Sequence, residues 1–399
     1  MIKTGINYRR PDTIKSILIF LILLLFVSGI SAQDSLKARL WSLKGYVKDM
    51  QSVMFSNYKD PWISSNLIHN RLNFKWYPSN SFTFAVEMRN RFFYGDILAA
   101  YPEYGKSFVA DDGFVKLTSN ISEQKSYILN ISIDRLWLDY TYHNFEVTVG
   151  RQRINWGETF AWNPNDIFNS YNYLDFDYEE KPGSDAIRLQ YFTSPSSKAE
   201  VAIKANKEKQ ITAAGLYHFN RWNYDIQVLA GIVNSSDYVI GGGWSGQVAK
   251  GGFMGELSYF RSKQHFSDTS GIFVASAGYD YSFKNSLFVQ AECLYNGNNI
   301  QKPDSLFSIY SAVASDARNP FLGGFTFFAG ASYPFTPLLT GSFSAIATPE
   351  HKLIILIPSF EYSLAQNLDL SLISQIMPAI KQSSFTQLTA VFLRTKWNF

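Results

Sequence analysis

Along most of the chain apolar and polar residues alternate with a period of two. Residues 66–92 form the clearest window. Ile68, Leu72, Phe74 and Trp76 alternate with His69, Arg71, Asn73 and Lys75. Past Pro78-Ser79-Asn80-Ser81, Phe82, Phe84, Val86 and Met88 alternate with Thr83, Ala85, Glu87, Arg89 and Arg91. Successive side chains of a strand point to opposite faces, so each stretch predicts a strand with one apolar and one polar face. The pattern recurs around Ile187–Tyr191, Ala199–Ile203, Tyr224–Val228 and Phe273–Tyr281.

A soluble sandwich also alternates, so the connections decide. Short breaks fall near 78–81, 143–144, 194–197, 220–222, 249–251, 283–286, 334–338 and 364–366. Longer ones fall near 55–65, 93–126, 157–183, 207–210, 234–238, 263–270, 297–322, 347–351 and 379–385. Short and long alternate in order, as in an all-β, antiparallel, up-and-down transmembrane barrel with tight periplasmic turns and longer outer loops. The breaks predict about 18 strands with both termini periplasmic. Alternation blurs near 239–248 and 339–363, which would reduce the number to 16 if those stretches were not strands.

The first residues carry a different pattern. Four basic residues (Lys3, Arg9, Arg10, Lys15) precede the apolar run Ser16–Val27, and small residues follow up to Ala32. This reads as a signal peptide over 1–32; Ser16–Ile30 is shorter than the roughly 20 residues a spanning helix needs. Residues 33–43 then form a short periplasmic segment and 44–399 the barrel. Past the leader no apolar run is long enough for a transmembrane helix. The leader also explains the formal charge of +3, since its four cations face one Asp12. The chain is 17% aromatic and 17% charged, which disfavours disorder, and its small charge gives no sign of nucleic-acid binding. A single cysteine, Cys293, excludes a disulfide framework and any multi-cysteine metal site.

The chain ends on Val391, Leu393, Thr395, Trp397 and Phe399 alternating with Phe392, Arg394, Lys396 and Asn398. This resembles the final-strand signal of Gram-negative outer-membrane proteins. Gly150-Arg151-Gln152-Arg153-Ile154-Asn155-Trp156-Gly157, followed by Trp162-Asn163-Pro164-Asn165-Asp166, resembles a segment of porin-like outer-membrane families, nearest to the alginate-export-like group and its porin relatives. The resemblance implies a passive or facilitated pore.

Alternation also nominates the lumen. Arg71, Lys75, Arg89, Arg91, Arg135 and Arg188 fall on inward positions with Glu87, Asp139 and Glu146. Arg151 and Arg153 follow the parity of Val147 and Val149, which face lipid. Arginine costs about 2–4 kcal/mol at the bilayer midplane, so a β-bulge near Gly150 is expected to turn both inward. The loop 157–183 carries Glu158, Asp166, Asp175, Asp177, Glu179 and Glu180, and is rich in aromatics between Phe160 and Tyr178. It is expected to fold into the barrel as a constriction and oppose the basic wall, giving a transverse field.

Trp76, Phe82, Tyr191, Tyr281, Tyr333 and Trp397 fit interfacial girdles. Gly241-Gly242-Gly243 lacks a phosphate-binding pattern and would ease a strand bend. His265 and Ser267, next to Asp268, faintly resemble an outer-membrane phospholipase segment, but no orienting partner is identifiable. The remaining histidines lack metal-ligand spacing. The reading is an outer-membrane pore for small polar or charged solutes, carbohydrates among them, with no catalytic residue, metal or cofactor and with lipid around it. The alternative is a structural or secretion-associated barrel without solute transport. Oligomeric state and solute identity are not written in the sequence.

Overall fold

The computed structural model describes residues 40–101, 111–169, 180–267, 270–298, 316–381, 383 and 385–399. The signal-peptide expectation for 1–32, and Asp175, Asp177 and Glu179, lie outside them.

In chain order the strands are β1 (Trp41–Phe55), β2 (Ile63–Ser64), β3 (Asn66–Ser79), β4 (Phe82–Tyr94), β5 (Thr118–Glu123), β6 (Tyr127–Tyr142) and β7 (Phe145–Gln152). Then come β8 (Ser184–Ser194), β9 (Ser197–Ala205), β10 (Ile211–Arg221), β11 (Tyr224–Val233), β12 (Asp237–Val248), β13 (Gly251–Ser262) and β14 (Ile272–Ser282). The last are β15 (Phe288–Asn296), β16 (Gly324–Pro334), β17 (Leu339–Thr348), β18 (Leu353–Ala365), β19 (Leu368–Met377) and β20 (Leu388–Asn398). One short helix, α1 (Asp96–Ala100), follows β4.

β2 is a two-residue pairing on β1, and β5 pairs only with part of β6. The other eighteen form one antiparallel sheet, and β1 closes it on β20 from Tyr46↔Asn398 to Phe55↔Thr389. Closure pairs the backbone groups that a lipid environment could not satisfy. The strand number is the one the breaks predict, and the blurred stretches are strands β12, β17 and β18. Residue 41 pairs with Trp76 near the β3–β4 turn, so both ends of the barrel chain lie at the short-turn rim. Two of the short turns use left-handed residues at both positions, Trp222–Asn223 and Ala249–Lys250, the geometry that matches strand twist in two-residue hairpins.

The outer face is apolar. Val149, Ile187, Val201, Ile203 and Ile240 are exposed on it. Aromatics ring the short-turn rim, with centroids 4.7 Å apart in Phe82–Tyr140, 4.6 Å in Phe145–Tyr191 and 5.2 Å in Trp397–Phe399. Trp76, Phe82, Tyr191 and Trp397 are exposed there, while Tyr281 and Tyr333 are half-buried. Such amphipathic rings suit the boundary between hydrocarbon and water.

The expected bulge is elsewhere. The ladder runs unbroken through Gly150 on both sides, Trp137↔Gly150↔Ala186. Gly150 instead takes φ +115°, and a Cβ there would strike the Leu136 carbonyl. The irregularity falls between β4 and β6, where Glu87 pairs with Arg135 but Met88 pairs with Ile133. Asp134 is the extra residue, and both Asp134 and Arg135 are buried.

Arg151 is therefore not turned into the lumen. Register puts it on the face of Val149 and Ile187. It escapes lipid because residues 111–117 lie against it. Its guanidinium donates to Asp185 at 2.7 and 2.9 Å, to Asp111 at 2.9 Å and to the Val115 carbonyl. One planar donor fork thus ties the end of β7 to β8 and to the segment that continues the wall above β7.

Inside the barrel, β10 to β19 mix apolar side chains with polar ones such as Gln227, Glu256 and Ser276. Leu216, Leu229, Val239, Phe260, Val274, Leu294, Ile346, Ile355 and Ile373 are buried on the inner face. In β12, β17 and β18 such inner side chains add to the apolar outer face, which is why alternation blurs there, and they need a cover.

Candidate functional site

The cover is the loop after β7. It leaves the wall at Arg153 and crosses the lumen, and two carboxylates of the opposite wall hold it. Glu256 of β13 accepts the backbone N–H of Thr159 at 2.7 Å and of Asn165 at 2.9 Å, the Thr159 hydroxyl at 2.9 Å, the Asn163 amide at 3.0 Å and the Glu158 N–H. Glu292 of β15 accepts three consecutive N–H groups, from Phe160 at 3.1 Å, Ala161 at 2.8 Å and Trp162 at 3.0 Å, together with the Ser276 hydroxyl. Successive N–H groups that converge in a turn make an anion-binding concavity; here wall side chains occupy it. A hydrogen bond to a charged acceptor contributes about 1.5–3 kcal/mol net, so the two glutamates fix the loop's path.

Neutral groups complete the hold. The Trp156 indole donates to Glu200 at 2.8 Å and the Gln227 amide to the Trp156 carbonyl at 2.6 Å. Asn165 donates to the Gly242 carbonyl at 2.8 Å and accepts from Ser258 at 2.8 Å. This gives the glycine run its reason. A Cβ on Gly241 would lie 2.7 Å from the Asn165 oxygen, and one on Gly243 3.1 Å from its nitrogen. β12 pairs continuously on both sides, and the glycines clear room for Asn165.

Beneath these bonds lies a hydrophobic cluster. Ile154, Trp156, Trp162, Ile167 and Phe168 of the loop pack with Phe321 and Leu322 of the 316–323 segment on the inner side chains of β10 to β19. Trp162 stands 5.8 Å from Phe321 and 6.5 Å, edge-on, from Phe328. Arg318 ties its segment to the wall through Asp237 at 2.6 Å. One side of the lumen is therefore filled by a small apolar core.

The wall of β20, β1, β3, β4 and β6 is built differently. Arg71, fully buried, bonds Asp134 and Glu87 at 2.6 Å each and lies 3.5 Å from Glu180. Arg89 lies 3.3 Å from Asp134. Arg135 donates to the carbonyls of Glu180 and Lys181, so the returning end of the loop is held on the basic side. Arg91 donates to Asn130 at 2.8 Å, and Lys75 lies 5.7 Å from the Trp137 ring. Lower on this wall, Arg188 pairs with Glu146 at 3.2 Å and Asp139 accepts from Thr148 at 2.8 Å. Arg394 and Lys396 of β20 stand nearby, with Lys396 4.6 Å from the Tyr46 ring.

The described acids of the loop are not set in a row against this wall. Asp166 is paired with Arg153 of the same loop at 3.1 Å, and burial pushes its carboxyl up to about 6. Glu158 sits on the acidic side, where burial and the neighbouring Glu256 and Asp225 push it up to about 7. Of the described acids, Glu180 alone reaches the arginines. The field inside the lumen is instead set by wall pairs such as Arg71–Asp134. Burial also holds the Lys181 ammonium below its ordinary value.

Sequence reasoning brought forward most of the basic wall but missed Glu200, Glu256, Glu292 and Asp134. The first three occupy inward positions, where a lone carboxylate reads as an ordinary wetted group. The available signal was that Glu256 and Glu292 stand at corresponding inward positions with long apolar neighbours such as Phe260 and Leu294 on the same face. His265 and Ser267 lie on the exposed loop after β13; Asp268 is outside the described residues.

No family model matches the chain, and no curated protein does. Solved structures do. OprD of Pseudomonas aeruginosa aligns with a TM-score of 0.55 at 8% identity, covering 90% of this chain and 95% of that one. OccK9 of the same organism gives 0.56 at 10%, covering 90% and 98%. OccAB3 of Acinetobacter baumannii gives 0.55 at 9%, covering 90% and 99%. These neighbours do not support the alginate-export-like group as the nearest relative. The fold is the closed eighteen-stranded barrel of the OprD and Occ outer-membrane porins.

Proposed function

We propose that this protein is an outer-membrane pore through which small polar solutes diffuse, passively or with facilitation, and that loop 157–183 is its constriction. The observation that carries this reading is the loop itself, drawn across an eighteen-stranded lumen and held by Glu256 and Glu292. A structural barrel has no need of a loop anchored inside its bore. The neighbouring porin structures support the same reading. The pore-lining set is Arg71, Lys75, Glu87, Arg89, Arg91, Arg135, Asp139 and Arg188; Arg151 is a wall staple, and Arg153 belongs to the loop. The pore works without a cofactor and without catalysis. Residues 1–32 are removed on export, so the mature protein starts at Gln33.

Purified protein in planar bilayers tests the pore. Discrete conductance steps are expected, enlarged when 160–180 is deleted. A barrel that never conducts would overturn the reading in favour of a structural or secretion-associated role.

A further inference from the structure

A cavity of about 700 Å³ lies below the tip of the inward loop. Its walls place it in the half of the barrel nearer the short turns: Ser332 pairs with Ser342 across the β16–β17 hairpin, and Asp280 lies near the end of β14. Its chemistry differs from that of the basic wall. The hydroxyls of Ser332, Ser342, Ser344 and Ser359 face it with the Gln290 amide and the Asp280 carboxylate. Phe160 of the loop, Phe328 and Ile357 supply apolar surface, and the two rings are 5.4 Å apart. Phe160 is 46% exposed, so a face of its ring is open to a ligand. Among the described residues that line the cavity none is Lys, Arg or His, while Glu158, Asp280 and Glu292 all do. Glu292 is already occupied by loop N–H groups.

An anion placed there would meet carboxylates and no cation. Ser342 already donates to Ser332 at 3.2 Å, but a wholly apolar molecule would offer nothing to Ser344, Ser359 and the Gln290 amide, which is costly. The lining suits a molecule with C–H faces for the rings and many hydroxyls for Ser, Gln and Asp, the last able to accept from two hydroxyls at once. The size falls in the range of small-molecule sites. We propose that this cavity is a binding site for a neutral carbohydrate of one or two rings, the loop tip carrying Phe160 as its lid side. This deepens the pore reading and rests on it for the meaning of the site, though not for its measurement.

The test uses the full-length protein. In bilayers, glucose and maltose are expected to interrupt the ion current in a saturable way, and gluconate is not. Asp280→Asn and Phe160→Ala should each raise the half-blocking concentration of maltose by about tenfold, the size expected from losing one charge-assisted contact or one ring contact. A conducting channel that the sugars fail to block, or that gluconate blocks as well as glucose, would overturn the proposal and leave the pore standing. If no current flows, the pore reading fails, and calorimetric titration of the detergent-solubilised protein with maltose still reads the site. Heat of binding that Asp280→Asn weakens supports it, and no heat overturns it.

Discussion

The two sides of this lumen obey different rules although their outer faces are alike. On β20, β1, β3, β4 and β6 the inner side chains are Lys396, Arg394, Lys48, Arg71, Arg89 and Arg91, and charge is managed by pairing with Asp134, Glu87 and Glu180. On β10 to β19 they include Leu216, Leu229, Phe260, Leu294 and Ile355, covered by a loop that Glu256 and Glu292 hold. Lipid dictates one face of every strand. The other face follows whatever it touches, paired acids and amides on one side of the bore and a folded segment on the other. Strand number therefore sets the circumference of the barrel, while the loop sets how much of the bore is open.

The comparison is broken most severely by removing what holds the loop. The double variant Glu256→Ala/Glu292→Ala leaves the N–H groups of 158–162 and 165 without their carboxylates, so the loop should leave the wall. Single-channel conductance should then rise by roughly twofold or more. Trp162→Ala attacks the same cover through its apolar side. Truncating so buried a Trp costs about 3–5 kcal/mol, read as a lower urea midpoint and faster proteolysis within 157–169. On the opposite wall, Arg71→Gln takes the cation from Glu87 and leaves Asp134 to Arg89 alone; breaking a buried pair costs about 3–5 kcal/mol. It should also move ion selectivity toward cations, a shift in reversal potential that the two loop variants should not share. Gly241→Ala is milder. Its methyl would displace Asn165 by overpacking, at about 1–3 kcal/mol, visible as noisier current with a folded barrel.

The smallest effect is titration of Glu158. Its folded carboxyl stands near 7 against an ordinary 4.5. Between those values the docked loop holds a proton that the undocked loop has lost. Docking is therefore firmest below 4.5, weakens as pH rises toward 7, and is level above. Open-channel noise should increase over that window, and Glu158→Gln should flatten the profile.

The turns and the strand number were legible because every short break is a rim turn and every outer face must be apolar. The inner face was legible only where it carries charged or polar side chains. Around 239–248 and 339–363 the alternation faded because Val239, Ile346 and Ile355 are covered from inside, and the covering loop, around Trp156 and Phe168, is far away in sequence. Arg151 shows the same limit. Its parity was readable, but residues 111–117, which shield it, are forty positions upstream, so a bulge was the nearest local remedy. The extra residue fell instead at Asp134, where it brings a carboxylate between Arg71 and Arg89.

The reach of the loop's anchors bears on how the barrel is made. Phe160 and Ala161 bond a side chain 132 and 131 residues further along the chain. Contacts so distant in sequence form late, because closing long loops is entropically costly. The loop cannot take its final path until β13 and β15 are in place, so during insertion the growing sheet has an unfilled interior. For the pore proposed above, narrowing of the bore is then a late step of folding, and a variant whose loop never docks is expected to conduct as a wide, unfilled barrel.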